Sequence, residues 1–343
     1  MYNSPMAYIT LNKNNFFHNL DIITKLTCAK DKIALVLKDN AYGHGLLEIA
    51  KMAKEYGIVN AVVRTYEEAK QIESYFEYIL VLADTSTSPS SKFRFTINDI
   101  KQIDKFSQAT KVELKVNTAM NRNGIEMDEL SLAFELIQKQ QLQLEAVFTH
   151  HSSADEENQY YDLQNSNFEE IKREAKALAK KYNLGSLRFH SCNSAALFRE
   201  KNFGEDMARV GIAAYGCLEL QNNSMQKELK PVLSVYANRL SSRVVQSGEC
   251  VGYSATFRSQ MQCMISNYDF GYGDGFLRSC SNKYTTPQNI KIAGRISMDN
   301  SSFITDKEEL LIFDDARVAA KIAGTISYEM LTSLKANLKR TIV

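Results

Sequence analysis

Six side chains capable of polar chemistry recur through the first two-thirds of the 343-residue chain: Lys38, Lys115, Arg122, His150, His190 and Arg209. Lys38 ends the apolar run IALVLK and is followed at once by the polar turn DNAYGHG. A lysine at the end of a strand is ordinarily a solvated edge residue, and a lone histidine is ordinarily a hydrogen-bonded core residue. A metal centre needs carboxylates or histidines gathered at one point, whereas this set is dominated by cations, so no metal is expected. Cations beside glycine-containing turns suit an anionic ligand.

What could bring these residues together is the order of the elements carrying them. Short apolar runs at 33–38, 60–65, 78–83, 93–97, 112–117, 144–150, 187–191 and 208–212 read as strands. Stretches such as GLLEIAKMAKEYG, TYEEAKQIESYF, MDELSLAFELIQKQ and FEEIKREAKALAKKY lie between them, with apolar residues at helical spacing. Eight strands alternating with helices predict an α/β fold with an N-terminal (β/α)₈ barrel, and no G-x-G-x-x-G follows the first strand to favour a dinucleotide-binding sheet. The six residues then fall at or near the C-terminal ends of strands one, five, six, seven and eight or in the loops beyond, the rim where barrel enzymes keep their reactive groups. The loops after strands seven and eight, the usual phosphate position, carry NSAALF and VGIAAYG. Asn193 and Ser194 read equally as helix caps or as a phosphate site, and Gly211 permits close backbone approach. A phosphorylated cofactor with a lysine aimed at its centre suggests pyridoxal phosphate.

From about residue 230 the texture changes to short β-branched or aromatic runs separated by Gly, Asn, Asp and Ser, as in PVLSVYANRLSSRVV and NIKIAGRISMD. This predicts a second, mainly antiparallel β domain at 226–343, joined by the N-terminal segment 1–8, after a barrel at 9–225 linked through QNNSMQKEL. The net charge of +1 gives no reason to expect a nucleic-acid partner. No apolar run approaches the roughly 18 residues of a membrane span, and the first residues lack the order of a secretory signal. Six scattered cysteines without a CxxC pair fit a reducing cytoplasm.

Nine strings in order along nearly the whole chain carry a family resemblance: LKDNAYGHG, LKVNTAMNRNGI, VFTHHSSAD, HSCNSAALF, ARVGIAAYG, VGYSATF, GYGDGF, GRISMD and GTISYE. The sequence resembles the alanine racemases, the barrel class of pyridoxal-phosphate enzymes. The resemblance implies interconversion of L- and D-alanine, with D-alanine destined for peptidoglycan. It implies a homodimer with shared sites, in which Lys38 holds the cofactor and acts as one base. Tyr253, from the partner subunit, would be the other. His150 and Arg209 would assist the tyrosine, with His190 behind Arg209 and Glu67 behind that. Arg209 would face the pyridine nitrogen. Arg122 would meet the substrate carboxylate region, beside a Lys115 that many relatives carbamylate. Tyr42, Ser194, Gly211, Ile212 and Tyr328 match the phosphate cradle. Met298 and Asp299 match the pocket floor, while Tyr272 and Asp155 match the entry channel.

Four positions or segments depart from the family pattern. NTAM stands where Asp-Thr-Gly-Met is common, Ser254 where glycine is frequent, Gly273 where alanine is usual, and the tail LTSLKANLKRTIV lacks an Arg-Val-Pro-Arg run. A racemase with a wider pocket for serine, lysine or arginine is the nearest alternative. An amino-acid decarboxylase on a related architecture and a non-catalytic cofactor carrier stand further off.

Overall fold

In the computed structural model, residues 7–85, 90–221 and 225–343 are described. Eight short parallel strands form the first sheet. Their order around it is Arg188–His190, Gln143–Phe148, Lys111–Lys115, Phe93–Ile97, Tyr78–Val81, Asn60–Val63, Ile33–Val36 and Ala208–Val210. Residues inside these strands are buried almost throughout, as expected where helices cover a parallel sheet. The two end strands share no ladder. They meet through single backbone bonds, Asp206 N to Phe189 O (3.2 Å) and Arg209 N to Cys192 O (2.9 Å), so the barrel is nearly closed with a seam beside Arg209.

The covering helices begin where the local chemistry allows. Asn12 caps Lys13–Thr27, Thr65 and Glu68 form a capping box at Tyr66–Ile72, and Asn158 caps Gln159–Lys181. The helix expected from TYEEAKQIESYF stops at Ile72, and the one around FEEIKREAKALAKKY starts at Gln159, well before that stretch.

A second sheet is organised on the 13-residue strand Leu233–Val245. It pairs antiparallel with Tyr8–Leu11, Cys263–Tyr268 and Glu309–Phe313, while Ser301–Ile304 pairs with Cys263–Tyr268. Lys339–Ile342 runs parallel to Tyr8–Leu11 at one edge. Tyr8–Leu11, which straddles the expected start of the barrel domain at residue 9, therefore lies in this sheet. Residues 1–6 and part of the expected linker, 222–224, lie outside the described residues. Two short helices, Ala316–Ala323 and Ser327–Thr332, pack between this sheet's elements and the barrel mouth, and the second brings Tyr328 to the site.

Candidate active site

The first barrel strand ends at Val36, and Leu37 extends its pairing by donating to Val62 O at 2.8 Å. Lys38 therefore stands just beyond the strand. The backbone then turns left-handed for five consecutive residues: Asp39, Asn40, Ala41, Tyr42 and Gly43 have φ of 54°, 57°, 51°, 53° and 75°. Such a conformation costs an L-residue roughly 1–2 kcal/mol, so the turn must be held from several sides. Glu68 accepts from Asp39 N (2.7 Å), and Asn40 Oδ1 accepts from Leu46 N (2.9 Å). His44 Nδ1 lies 3.1 and 3.0 Å from the carbonyls of Ala41 and Tyr42. Arg340, on the last strand, donates to Gly43 O from Nε (3.0 Å) and Nη2 (2.8 Å). Gly43 also abuts Leu331, whose carbonyl oxygen would lie 2.0 Å from a Cβ at that position.

The turn delivers Tyr42 into a cavity of about 320 Å³ at the C-terminal ends of the strands. Lys38, Lys115, Arg122, His150 and Arg209 line it. Among the described residues, no hydrogen bond or ion pair engages Lys38 Nζ, Lys115 Nζ or the Arg122 guanidinium. Burial, reinforced by Arg122, Arg209 and Lys38, lowers the Lys115 ammonium to about 8. Burial and the same arginines hold His150 well below the usual imidazole range, so its ring is neutral.

Arg209 is seated by carbonyls. Nη1 donates to His190 O (3.0 Å), and Nη2 to Thr149 O (2.6 Å) and Ser191 O (3.0 Å). Nη2 also lies 3.4 Å from His150 Nδ1, and the guanidinium covers the Phe148 ring. Nη1 bonds His190 Nδ1 as well, which fixes that nitrogen as an acceptor. His190 Nε2–H then donates to Glu113 Oε2 at 2.9 Å. His190 is wholly buried and does not line the cavity; it stands behind Arg209.

The acid behind His190 is Glu113. Glu67, expected there, is exposed and paired with Lys70. Glu113 is fully buried and accepts from Tyr78 OH (2.7 Å) and Arg188 Nη2 (2.9 Å) as well as His190. Burial alone would raise its carboxyl, but these partners outweigh it and keep the group ionised. Glu113 escapes the sequence reading, although an acid in the middle of the apolar strand KVELK is a usable signal.

Tyr42, Ser194, Gly211, Ile212 and Tyr328 line the same cavity. Asn193 takes the capping role, accepting from Ala196 N at 2.9 Å. Ser194 instead accepts from Gly211 N (3.1 Å) and Ala213 N (3.4 Å). A Cβ at Gly211 would come within 2.9 Å of Tyr42 Oη, so this glycine makes room for the tyrosine. Burial raises both Tyr42 and Tyr328, leaving two neutral phenols.

Tyr253, Tyr272, Met298 and Asp299 are exposed and do not line this cavity. Ser254 takes the left-handed φ of 59° and is held by Arg295 Nη1 at 3.2 Å. Gly273 donates to Met298 O at 2.7 Å, where an added Cβ would crowd that oxygen. Asp155 lines a separate cleft beside Arg199. A larger cleft of about 750 Å³ lies between the helix Gln159–Lys181 and residues 200–206, but the charged groups Lys172 and Glu205 there are already engaged with neighbours. The smaller cavity is the better candidate because cations without protein partners converge on it.

Comparison with known families agrees along the chain. Residues 11–219 match the family model described as alanine racemase, N-terminal domain, and residues 232–342 match alanine racemase, C-terminal domain. The chain is 44% identical over 336 residues to the alanine racemase of a Nitratiruptor species, covering 98% of this chain and 99% of that protein. It is 41% identical over 340 residues to that of Campylobacter curvus, covering 98% and 100%. Among solved structures, the alanine racemase from D-cycloserine-producing Streptomyces lavendulae has the same fold, with a TM-score of 0.86 at 22% identity over 99% of this chain and 98% of that one. The enzyme from Bacillus anthracis with bound L-Ala-P gives 0.85 at 24% identity, covering 100% and 96%.

Proposed function

This chain belongs to the alanine racemase family, an isomerase family, and from that premise we propose that it interconverts L- and D-alanine with pyridoxal phosphate held at Lys38. The observation that carries the reading is that one cavity gathers Lys38, Lys115, Arg122 and Arg209 together with Tyr42, Ser194 and Tyr328. The donor set fits the cofactor. Neutral phenols, a hydroxyl and backbone N–H groups suit a phosphate, and the cations suit a phenolic oxygen and a substrate carboxylate. When bound, the cofactor would supply the electron sink that makes the α-hydrogen of an amino acid acidic.

The remaining work falls to side chains. Lys38 would move a proton on one face of the substrate. Tyr253 of a second subunit would move it on the other, which is why a homodimer is part of this reading. A phenol with an ordinary pKa of about 10 needs assistance near neutrality. Neutral His150, whose Nδ1 faces Arg209 Nη2 at 3.4 Å, would offer its Nε2–H as a donor to the phenolic oxygen. Arg209 would face the ring nitrogen and, as a cation locked among carbonyls, disfavour protonation there. His190 and Glu113 hold Arg209 in place. Arg122 would orient the carboxylate, while Met298, Asp299 and Tyr272 would complete the pocket from the partner side.

The lowered Lys115 amine is partly neutral near pH 7 and so can add carbon dioxide. Release of a proton then leaves a carbamate anion beside Arg122. The proposed setting is the cytoplasm, with D-alanine feeding peptidoglycan and the chain divided into a barrel domain at 9–225 and a β domain at 226–343 joined by the N-terminal segment 1–8, except that the strand Tyr8–Leu11 carries residues 9–11 into the β domain's sheet. Six unpaired cysteines support that compartment, and among the described residues no helix is long and apolar enough to cross a membrane.

Chiral chromatography of L-alanine incubated with the cofactor-loaded protein tests the reading against a Lys38→Ala control. D-alanine is expected from the wild type alone. Comparable conversion of lysine, arginine or serine would replace the alanine assignment with a broader racemase. Carbon dioxide release without racemisation would move the chain to decarboxylation.

A further inference from the structure

Arg122 projects from a loop that leaves the fifth barrel strand at Lys115 and returns at Ile125. The base of the loop is pinched by Asn117 N to Ile125 O (2.8 Å) and Ile125 N to Lys115 O (2.9 Å). Inside it, the Asn117 amide uses both ends. Oδ1 accepts from Ala119 N (3.2 Å) and Asn121 N (2.9 Å). Nδ2 donates to Asn121 Oδ1 (3.0 Å) and to the two Glu126 carboxylate oxygens (3.1 and 3.2 Å). Glu126 is itself fixed by a reciprocal capping box with Glu129. Ala119, where the family pattern has glycine, keeps a positive φ of 92°, and Tyr160 Oη donates to its carbonyl at 2.7 Å from the helix Gln159–Lys181. No described residue contacts the Arg122 guanidinium through a hydrogen bond or ion pair, so the backbone course of the loop is what sets where that side chain emerges.

We propose that Asn117 is a positioning residue for Arg122, and that Glu126 makes an amide at position 117 obligatory in this chain. An aspartate there could accept from Ala119 N and Asn121 N but could not donate to Glu126. It would place a second carboxylate about 3 Å from the first. The departure from Asp-Thr-Gly-Met is thus a matched set: Asn117 satisfies Glu126, and Tyr160 holds the strained carbonyl of Ala119. Glu126 is the ionisable group bonded to the amide. Glu129 lies behind it, Lys115 and Arg122 flank Asn117 along the chain, and the Tyr160 phenol reaches the loop from the helix. None of those four bonds the Asn117 side chain. The role given to Arg122 rests on the function proposed above, whereas the order of its loop does not.

The test compares wild type, Asn117→Asp, Glu126→Gln and the double variant without cofactor, following tryptic cleavage of the Arg122–Asn123 bond at pH 8. Cleavage of Asn117→Asp is expected to be about tenfold faster than that of wild type, since the single change removes both N–H donors of the amide and adds a like charge. The double variant is expected near the wild-type rate, because the new amide at position 126 can donate to the new carboxylate at 117. Glu126→Gln alone keeps an acceptor for Asn117 and should stay near wild type, and unchanged unfolding midpoints would show that all four proteins are folded. In the loaded enzyme, Asn117→Asp should raise KM for alanine several-fold more than it lowers kcat, and the double variant should recover. An Asn117→Asp loop cut no faster than wild type overturns the proposal, as does a double variant as labile as the single. Rescued cleavage in a wild type that racemises nothing would instead overturn the functional reading of Arg122 and leave the loop-ordering part standing.

Discussion

His44 is wholly buried in the lysine turn, stacked on Tyr215 with ring centroids 4.3 Å apart. Nδ1 faces two carbonyls, while Nε2 is buried without a partner among the described residues. Burial lowers its pKa to about 4, the two carbonyls offsetting only part of the effect. An unfolded histidine binds its proton near 6.5, so between pH 6.5 and 4 the unfolded chain holds the extra proton. Stability contributed here is present above pH 6.5 and is lost as pH falls, by about 3 kcal/mol once below both values. His44→Phe keeps an aromatic ring on Tyr215 and cannot be protonated. Its denaturation midpoint should therefore fall less between pH 7 and 4.5 than that of wild type, whatever its stability at neutral pH. Parallel pH dependences would remove His44 from the acid response. The residue scale is also where the sequence is least sufficient. Lys38 and Arg209 announce themselves as charges at the ends of apolar strands. Glu113 is one acid among several, and only the pairing of the strand Gln143–Phe148 between Lys111–Lys115 and Arg188–His190 brings it to His190, 77 positions away. Glu67 looks equivalent in the linear order but sits on an exposed helix face.

At the scale of elements, the strands are legible in the sequence, and the stretch between Lys38 and His44 is legible as a turn but not in its left-handed course. A parallel strand buried on both faces leaves an apolar run that any reading can find. A left-handed turn leaves its clearest signal at glycine and a weaker one at Asp and Asn, and Ala41 and Tyr42 among its five positive-φ residues give none. Their conformation comes from partners distant in sequence, Glu68, Leu331 and Arg340. Gly43→Ala tests how tightly those elements close on the turn. The methyl would carry the backbone strain of φ +75° and would also meet Leu331 O at 2.0 Å. Gly248→Ala, at φ +88° with nothing within 4 Å, isolates the strain alone. The control is expected to lose about 1–2 kcal/mol, and Gly43→Ala a further 1–3 kcal/mol or so through displacement of the helix Ser327–Thr332. Chemical denaturation of both variants measures the difference. Equal losses would mean that the helix yields freely and does not brace the lysine turn.

At the scale of the whole molecule, the residues assigned to one reaction occupy two separate places on one chain. Lys38 lies in the barrel cavity, whereas Tyr253 is 66% exposed, on the short 3₁₀ turn Tyr253–Ala255 beside the Arg295–Ser254 contact. Met298 and Tyr272 are exposed too, and their segments are joined by the Gly273 N to Met298 O bond. Large apolar side chains on such a face are explained if a second copy covers them. A two-fold dimer would then make each site from Lys38 of one subunit and Tyr253 of the other. This arrangement has a countable consequence. Lys38→Ala and Tyr253→Phe homodimers each lack a proton carrier in both sites. After subunit exchange, a mixed dimer contains one intact site and one doubly defective site. Random pairing in equal amounts makes half the dimers mixed, so activity of the mixture should recover to about a quarter of wild type. The two variants, differently tagged, would be unfolded, refolded together and assayed for D-alanine, with doubly tagged dimers then isolated to confirm the exchange. Recovery requires that the lysine and the tyrosine act across the interface. Confirmed mixed dimers with no more activity than their parents would place both bases in the same subunit, and the exposed position of Tyr253 would then demand a large movement of its turn toward the barrel.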